Sequence, residues 1–348
     1  MKWFENVDDM EKVTIIITVH NSEAYIVETL QSVQNQTYKS IEIIAVNGGS
    51  TDNSVAVIEQ LGLPNLTVYN RPNLGQASNS NFGMSKATGD LIKFLDADDI
   101  LSEDCIEKMV LKYRENPKRL VFGEWHYFVN KIENISWNTS PVYKDYQNAL
   151  DYYVDIHQKA GSMLAVWMWL IPRDILKKAG GWDERLTITN DLELSTRLIL
   201  ESDGIGFAKG AMHYYRKGLP NAMTSVIHSK VPEPTATSVV IGLNKAYENV
   251  IKAENSSRIR LVFANLFQKW VYLFYPNHSA YVNQLEKTIK QIGGSNRKPT
   301  GGALFKVLNK FLPWKAVTVL QNIVHQTIWK PILLRKHKAK LKKQFGVE

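Results

Sequence analysis

The sequence predicts an α/β protein built on a mostly parallel, doubly wound sheet with a helical C-terminal extension. Three observations carry that prediction. Largely apolar runs, the first two rich in β-branched residues, recur at residues 13–17, 41–46, 66–69 and 91–95. Polar, helix-length segments separate them, and strands alternating with helices pair in parallel. From about residue 234 onward, apolar residues recur at helical spacing instead.

Val13-Thr14-Ile15-Ile16-Ile17 is dominated by β-branched residues, which suits a buried strand. Asn21-Ser22 can cap a helix reaching about residue 35. The second strand, 41–46, ends in the turn Asn47-Gly48-Gly49-Ser50, and Thr51-Asp52 can cap a helix to about residue 61. The third strand, 66–69, leads through Asn73-Leu74-Gly75 into a helix ending near Lys86. Thr88-Gly89-Asp90 then turns the chain into the strand 91–95. Farther on, the pattern predicts a helix to about residue 116, a strand at 120–129, a helix near 148–159 and a strand at 164–171. Further helices follow Pro172 and Asp191. Pro313 and Pro331 interrupt the later helical pattern, and residues 293–295 and 299–302 read as a linker. These features divide the chain into an α/β domain at 1–230 and a helical, basic region at 231–348.

The charge is unevenly distributed. The net charge is +8, yet residues 296–348 hold twelve Lys/Arg and one acid. The body is slightly acidic, which argues against nucleic acid as a partner. The segment 332–343 is basic, and Phe305, Leu308, Phe311, Leu312 and Trp314 lie upstream of it. That pattern suits either peripheral contact with an anionic membrane or a solvated basic end. The single cysteine, Cys105, fits a reducing compartment. No run reaches the roughly 18 apolar residues that span a bilayer, and the N-terminus carries no apolar signal core, so a cytoplasmic location is expected.

Ligands of such sheets sit beyond the carboxyl ends of the strands. Three groups fall there: His20-Asn21, residues 47–52, and Asp96-Ala97-Asp98-Asp99. Three carboxylates within four residues repel one another, and a hard divalent cation such as Mg²⁺ or Mn²⁺ relieves that. The same residues also suit a solvated turn before a helix. Asp191, at the start of a helix, fits either a general base or a helix cap. Arg216 is suited to a phosphate. His213 is suited to a metal or to a satisfied structural role. Trp167, Trp169 and Trp182 suit a sugar face or the core.

Taken in order over residues 13–225, these segments resemble glycosyltransferase family 2 of the GT-A fold. The opening strand through His20-Asn21, Gln36-Thr37-Tyr38, and Ala87-Thr88-Gly89-Asp90 running to Asp96-Ala97-Asp98-Asp99 resemble its N-terminal half. Gly180-Gly181-Trp182-Asp183-Glu184-Arg185-Leu186, Asn190-Asp191 and Tyr214-Tyr215-Arg216 resemble its later motifs. The resemblance implies an inverting, metal-dependent transfer of a sugar from a nucleotide-sugar, a UDP-sugar by default, to a glycan or lipid-linked acceptor. The setting implied is bacterial surface polysaccharide or glycolipid synthesis at the inner face of the cell membrane. It implies Asp191 as general base and Asp98 as metal ligand, beside which His213 is a further metal candidate by its own chemistry. Thr18, His20, Glu23, Asn47, Asp96 and Arg216 would bind the donor. The family commonly has two acids where Asn47 and Gly48 stand, and an acid where Asn190 stands. Those departures leave a non-catalytic relative that binds nucleotide-sugar or protein partners as the alternative.

Overall fold

Four strands lead: β1 (Val13–Val19), β2 (Ile41–Gly48), β3 (Leu66–Arg71) and β4 (Leu91–Asp96). Helices α1 (Ile26–Gln34), α2 (Ser54–Gln60) and α3 (Gln76–Lys86) connect them. The computed structural model describes residues 10–129, 131–159, 164–219, 231–299 and 302–324. After β4 come β5 (Ile100–Leu101), α4 (Cys105–Glu115), β6 (Leu120–Val129), β7 (Lys131–Ser136) and α5 (Ala149–Gln158). A 3-10 turn (Val166–Met168), β8 (Trp169–Pro172), α6 (Arg173–Ala179), α7 (Asn190–Leu200) and β9 (Ile205–Lys217) follow.

The strands form one sheet in the order β3-β2-β1-β4-β8-β6-β9-β5, with β7 paired to β6. The first four are parallel, as their crossover helices require. The second half is mixed. β8 runs antiparallel to both neighbours, β5 antiparallel to β9, and β6 antiparallel to β7. The short strands β5 and β7 carry too little periodicity to be read from sequence.

Parallel register decides where the strand ends fall. Thr18 lies opposite both Val46 and Asp96, and Val19 opposite Asn47. The ends of β1, β2 and β4 therefore share one rim. Alternation sends Val13, Ile15 and Ile17 into a core with Ile26, Leu30 and Val33 of α1 and Ile106, Met109 and Val110 of α4. On the opposite face α3 lies directly on β1, since a Cβ at Gly83 would come 2.6 Å from Ile16 Cγ2.

Three expectations change. Asn21-Ser22 does not cap α1 through a side chain; Asn21 adopts φ +50° and its Oδ1 accepts from the Thr51 amide at 2.8 Å. The strand expected at 164–171 is instead the 3-10 turn followed by β8, with consequences for the site below. The helical region expected from residue 231 opens with α8 (Glu233–Ala253), which belongs to the first of two compact units, Met1–Val262 and Phe263–Glu348. Within the first unit, Ser238 Oγ of α8 accepts from the Thr187 and Ile188 amides at 2.9 and 3.1 Å, which holds the loop entering α7.

Helix α9 (Ser257–Phe274) leads on to α10 (Ser279–Gln291), α11 (Ala303–Leu308) and α12 (Trp314–Val324). In the second unit Tyr272 and Tyr275 meet the Trp314 ring edge-on at 4.8 and 5.2 Å. Phe305 is buried there, whereas Phe311 is 80% exposed. Among the described residues no helix is long and apolar enough to cross a membrane. The basic segment 332–343 lies outside the described residues.

Candidate active site

The sheet rim carries a cleft lined by Thr18, Gln76, Asp96, Trp167, Trp182 and Asp191. β4 delivers Asp96 at its last residue, and the chain then turns, with the Asp99 amide donating to the Asp96 carbonyl at 3.2 Å. Asp98 and Asp99 follow within this turn. α7 delivers Asp191 in its first turn, after Thr189 at φ +67°. Residues 95 apart in sequence thus face one cleft.

The carboxylates have different surroundings. Burial, then the charges of Asp98 and Asp191, hold the Asp96 carboxyl well above the usual range. Asp98 is raised by burial, against the pull of its own backbone amide and of Arg216. Among the described residues no side chain donates to the Asp98 carboxylate. Asp99 is fully buried and committed to the fold. Its Oδ1 accepts from the Arg216 amide at 2.9 Å, and its Oδ2 meets His213 Nε2 at 2.7 Å. Burial is the main cause that raises Asp99 and depresses His213. Asp191 is pushed up to about 6 by burial, against the Val166 amide that donates to its Oδ1 at 2.8 Å.

Among the described residues no three His, Cys, Asp or Glu side chains are grouped as a metal site, so a cation here would rest on the buried Asp96 and Asp98 carboxylates. His213 does not join them. Its Nε2 is used by Asp99, and its ring is stacked at 4.1 Å on Trp167.

The residues expected to bind a nucleotide sit on the rim, several already engaged. His20 Nδ1 lies 3.0 Å from the Gly48 carbonyl oxygen. Glu23 accepts from the Asn53 amide at 2.8 Å, and its own amide donates to Asp52 at 3.0 Å. Asn47 is buried, donating to Asn70 Oδ1 at 2.9 Å and accepting from the Ser50 amide at 3.0 Å. Arg216 is buried as well. Its Nε donates to the Asp98 carbonyl at 2.7 Å and its Nη2 to Glu28 at 2.6 Å, which braces the acidic turn. Of the tryptophans, Trp169 belongs to the core, with its indole N–H donating to Ser195 Oγ at 3.1 Å. Trp167 and Trp182 line the cleft.

Two residues in this region carry no motif. Gln76, at the start of α3, reaches Asp96 Oδ1 and accepts from Asn190 Nδ2, each at 3.5 Å. Lys93 lies buried in β4 and donates to the Trp167 carbonyl at 2.8 Å. A lysine inside the apolar run 91–95 is a visible signal for the second, whereas nothing in the sequence marks the first.

Comparison with known proteins bears on the family and the fold. Residues 14–179 match the family model described as glycosyl transferase family 2. An uncharacterized glycosyltransferase of Haemophilus influenzae is 29% identical over 172 residues, covering 49% of this chain and 65% of that protein. The minor teichoic acid biosynthesis protein GgaB of Bacillus subtilis is 27% identical over 208 residues, covering 58% of this chain and 23% of GgaB. The chain thus spans less than two thirds of the length of these relatives. In fold it is similar to S. aureus TarS 1–349 solved with UDP-GlcNAc, with a TM-score of 0.56 and 17% identity over 82% of this chain and 93% of that one. The same TarS region solved with UDP gives a TM-score of 0.54 at 17% identity, over 81% of this chain and 88% of that one. The fold is therefore GT-A, and residues 14–179 of this chain match glycosyl transferase family 2.

Proposed function

We propose that this protein is an inverting glycosyltransferase that moves a sugar from a nucleoside-diphosphate sugar to an acceptor hydroxyl during synthesis of a surface polymer. The observation that carries the reading is the single cleft shared by Asp96 and Asp191, with Asp98 in the turn beside it. The donor diphosphate would lie toward Asp96 and Asp98. A divalent cation held by those two acids would supply charge neutralisation for that diphosphate. Asp191, with the Val166 amide on one oxygen, has its other oxygen to accept the acceptor's proton. The acceptor oxygen then attacks the anomeric carbon opposite the departing diphosphate, and the configuration inverts. Trp167 and Trp182 would flank the sugar. The UDP and UDP-GlcNAc complexes of the similar TarS fold support UDP as the first donor to test. GgaB's role in teichoic acid biosynthesis supports a surface polymer as acceptor. The basic C-terminal segment supports peripheral contact with an anionic membrane at the inner face.

The test is nucleoside diphosphate release from a panel of nucleotide-sugars, with Mn²⁺ and with chelator, for wild type and Asp191→Asn. We expect release from one donor, falling about 10²–10⁴-fold in the variant, the range for loss of a general base. Binding of a donor with no release from any would favour the non-catalytic relative. Release of pyrophosphate instead would indicate nucleotidyl transfer.

A further inference from the structure

Gly48 ends β2 on the rim, where the family commonly carries an acid, yet this position is not vacant. A Cβ on Gly48 would lie 2.3 Å from Nδ2 of Asn79, an overlap that no real Cβ tolerates. The side chain of Asn79, from α3, therefore occupies the space that a side chain at 48 would take. Asn79 is 4% exposed and so effectively buried.

The orientation of that amide is decided by its neighbour. Arg71 Nη1 approaches one end of it at 3.3 Å and also donates to the Ser78 carbonyl at 2.9 Å. A guanidinium only donates, so the atom it meets is the amide oxygen. Arg71 is itself fixed, with its guanidinium 4.4 Å from the centre of the Phe82 ring. Nδ2 is thereby turned toward Gly48, and among the described residues nothing accepts from it. Asn47 cannot take this part, because its amide nitrogen is used by Asn70 of β3 and its oxygen by the Ser50 amide. Nδ2 is not a fully buried, unpartnered atom, so it keeps contact with solvent, from which an acceptor on a ligand can reach it.

We infer that Asn79 reads the nucleobase of the donor, offering an N–H donor to a carbonyl or ring-nitrogen acceptor where a carboxylate at 48 would instead accept from a base N–H. The inference rests on the glycosyltransferase reading and deepens it by assigning the residue that selects the base. It inverts the hydrogen-bond polarity of the position. A site built to hydrogen-bond a particular group discriminates strongly against a partner that leaves it unpaired.

The experiment is a titration of UDP, CDP, GDP, ADP and dTDP, each with Mn²⁺, against wild type, Asn79→Asp, Asn79→Ala and the double variant Gly48→Asp/Asn79→Ala. Manganese pyrophosphate serves as the probe without a base. Asn79→Asp preserves shape and keeps an acceptor for Arg71, so it is the variant least exposed to misfolding. It should bind the nucleotide preferred by wild type at least tenfold more weakly, while pyrophosphate binding stays unchanged. The double variant should shift preference toward bases that present a ring N–H, UDP and dTDP among the pyrimidines. Wild-type nucleotide affinity and preference in both Asn79→Asp and Asn79→Ala would overturn the inference. Failure of wild type itself to bind any of the five nucleotides would overturn the transferase reading, and that result appears before any variant is compared.

Discussion

The Lys93 ammonium, 1% exposed in the middle of β4, donates to the carbonyl oxygen of Trp167 over 2.8 Å. That carbonyl belongs to the 3-10 turn whose preceding amide, Val166, donates to Asp191. A buried lysine thus ties the central sheet to the turn that holds the proposed base. Burial lowers the Lys93 pKa. In Lys93→Met the Trp167 carbonyl loses its donor, at a cost of about 1–3 kcal/mol, and removing a buried ammonium offsets much of it. We expect a melting temperature within a few degrees of wild type and a kcat roughly tenfold lower, with little change in donor KM. The acid limb of the rate profile should move to higher pH, because the Val166 hydrogen bond lowers the Asp191 pKa. An unchanged profile with unchanged kcat would reduce Lys93 to packing alone.

The pH dependence of wild type has a definite sign. Asp191 is raised to about 6, and a base must be ionised to work. The rate should be constant above pH 7 and fall about tenfold per unit well below pH 6. Stability moves the other way. A carboxyl whose folded pKa lies above its unfolded value contributes most below the unfolded value, near 4, and that contribution is lost as pH rises through about 6. Asp191→Asn should therefore be at least as stable as wild type at pH 8 while losing activity. Melting curves and initial rates across pH 5–8 measure both, and a variant clearly less stable at pH 8 contradicts the assignment.

Membrane contact has its own test. Phe311 and Ile323 are exposed, at 80% and 54%, and the chain beyond is strongly basic. The protein should co-sediment with vesicles containing anionic lipid and not with neutral ones, and binding should weaken as salt is raised. Replacing Lys338, Lys340, Lys342 and Lys343 with Gln should cut vesicle binding substantially without altering nucleotide release from a soluble acceptor. Equal binding to both vesicle types would remove the electrostatic basis for the proposal.

What the sequence determined alone is its local pattern. The β-branched runs at 13–17 and 41–46 and the turns after them specify parallel strands, because side-chain alternation and turn chemistry act within a few residues. Strand polarity places His20-Asn21, residues 47–52 and residues 96–99 at one sheet end from the sequence alone. What tertiary structure decided depends on partners far apart in the chain. His213 is suited to a metal by its chemistry, but β5 pairs with β9 and sets it on Asp99, 114 residues away. Arg216 is suited to a phosphate, but the same pairing turns it onto the Asp98 carbonyl and Glu28. Gly48 reads as a lost side chain, and only the packing of α3 on the sheet shows the Asn79 amide in its place. A side chain's chemistry is written in its residue type, but its availability is set by long-range packing, which neither periodicity nor spacing encodes.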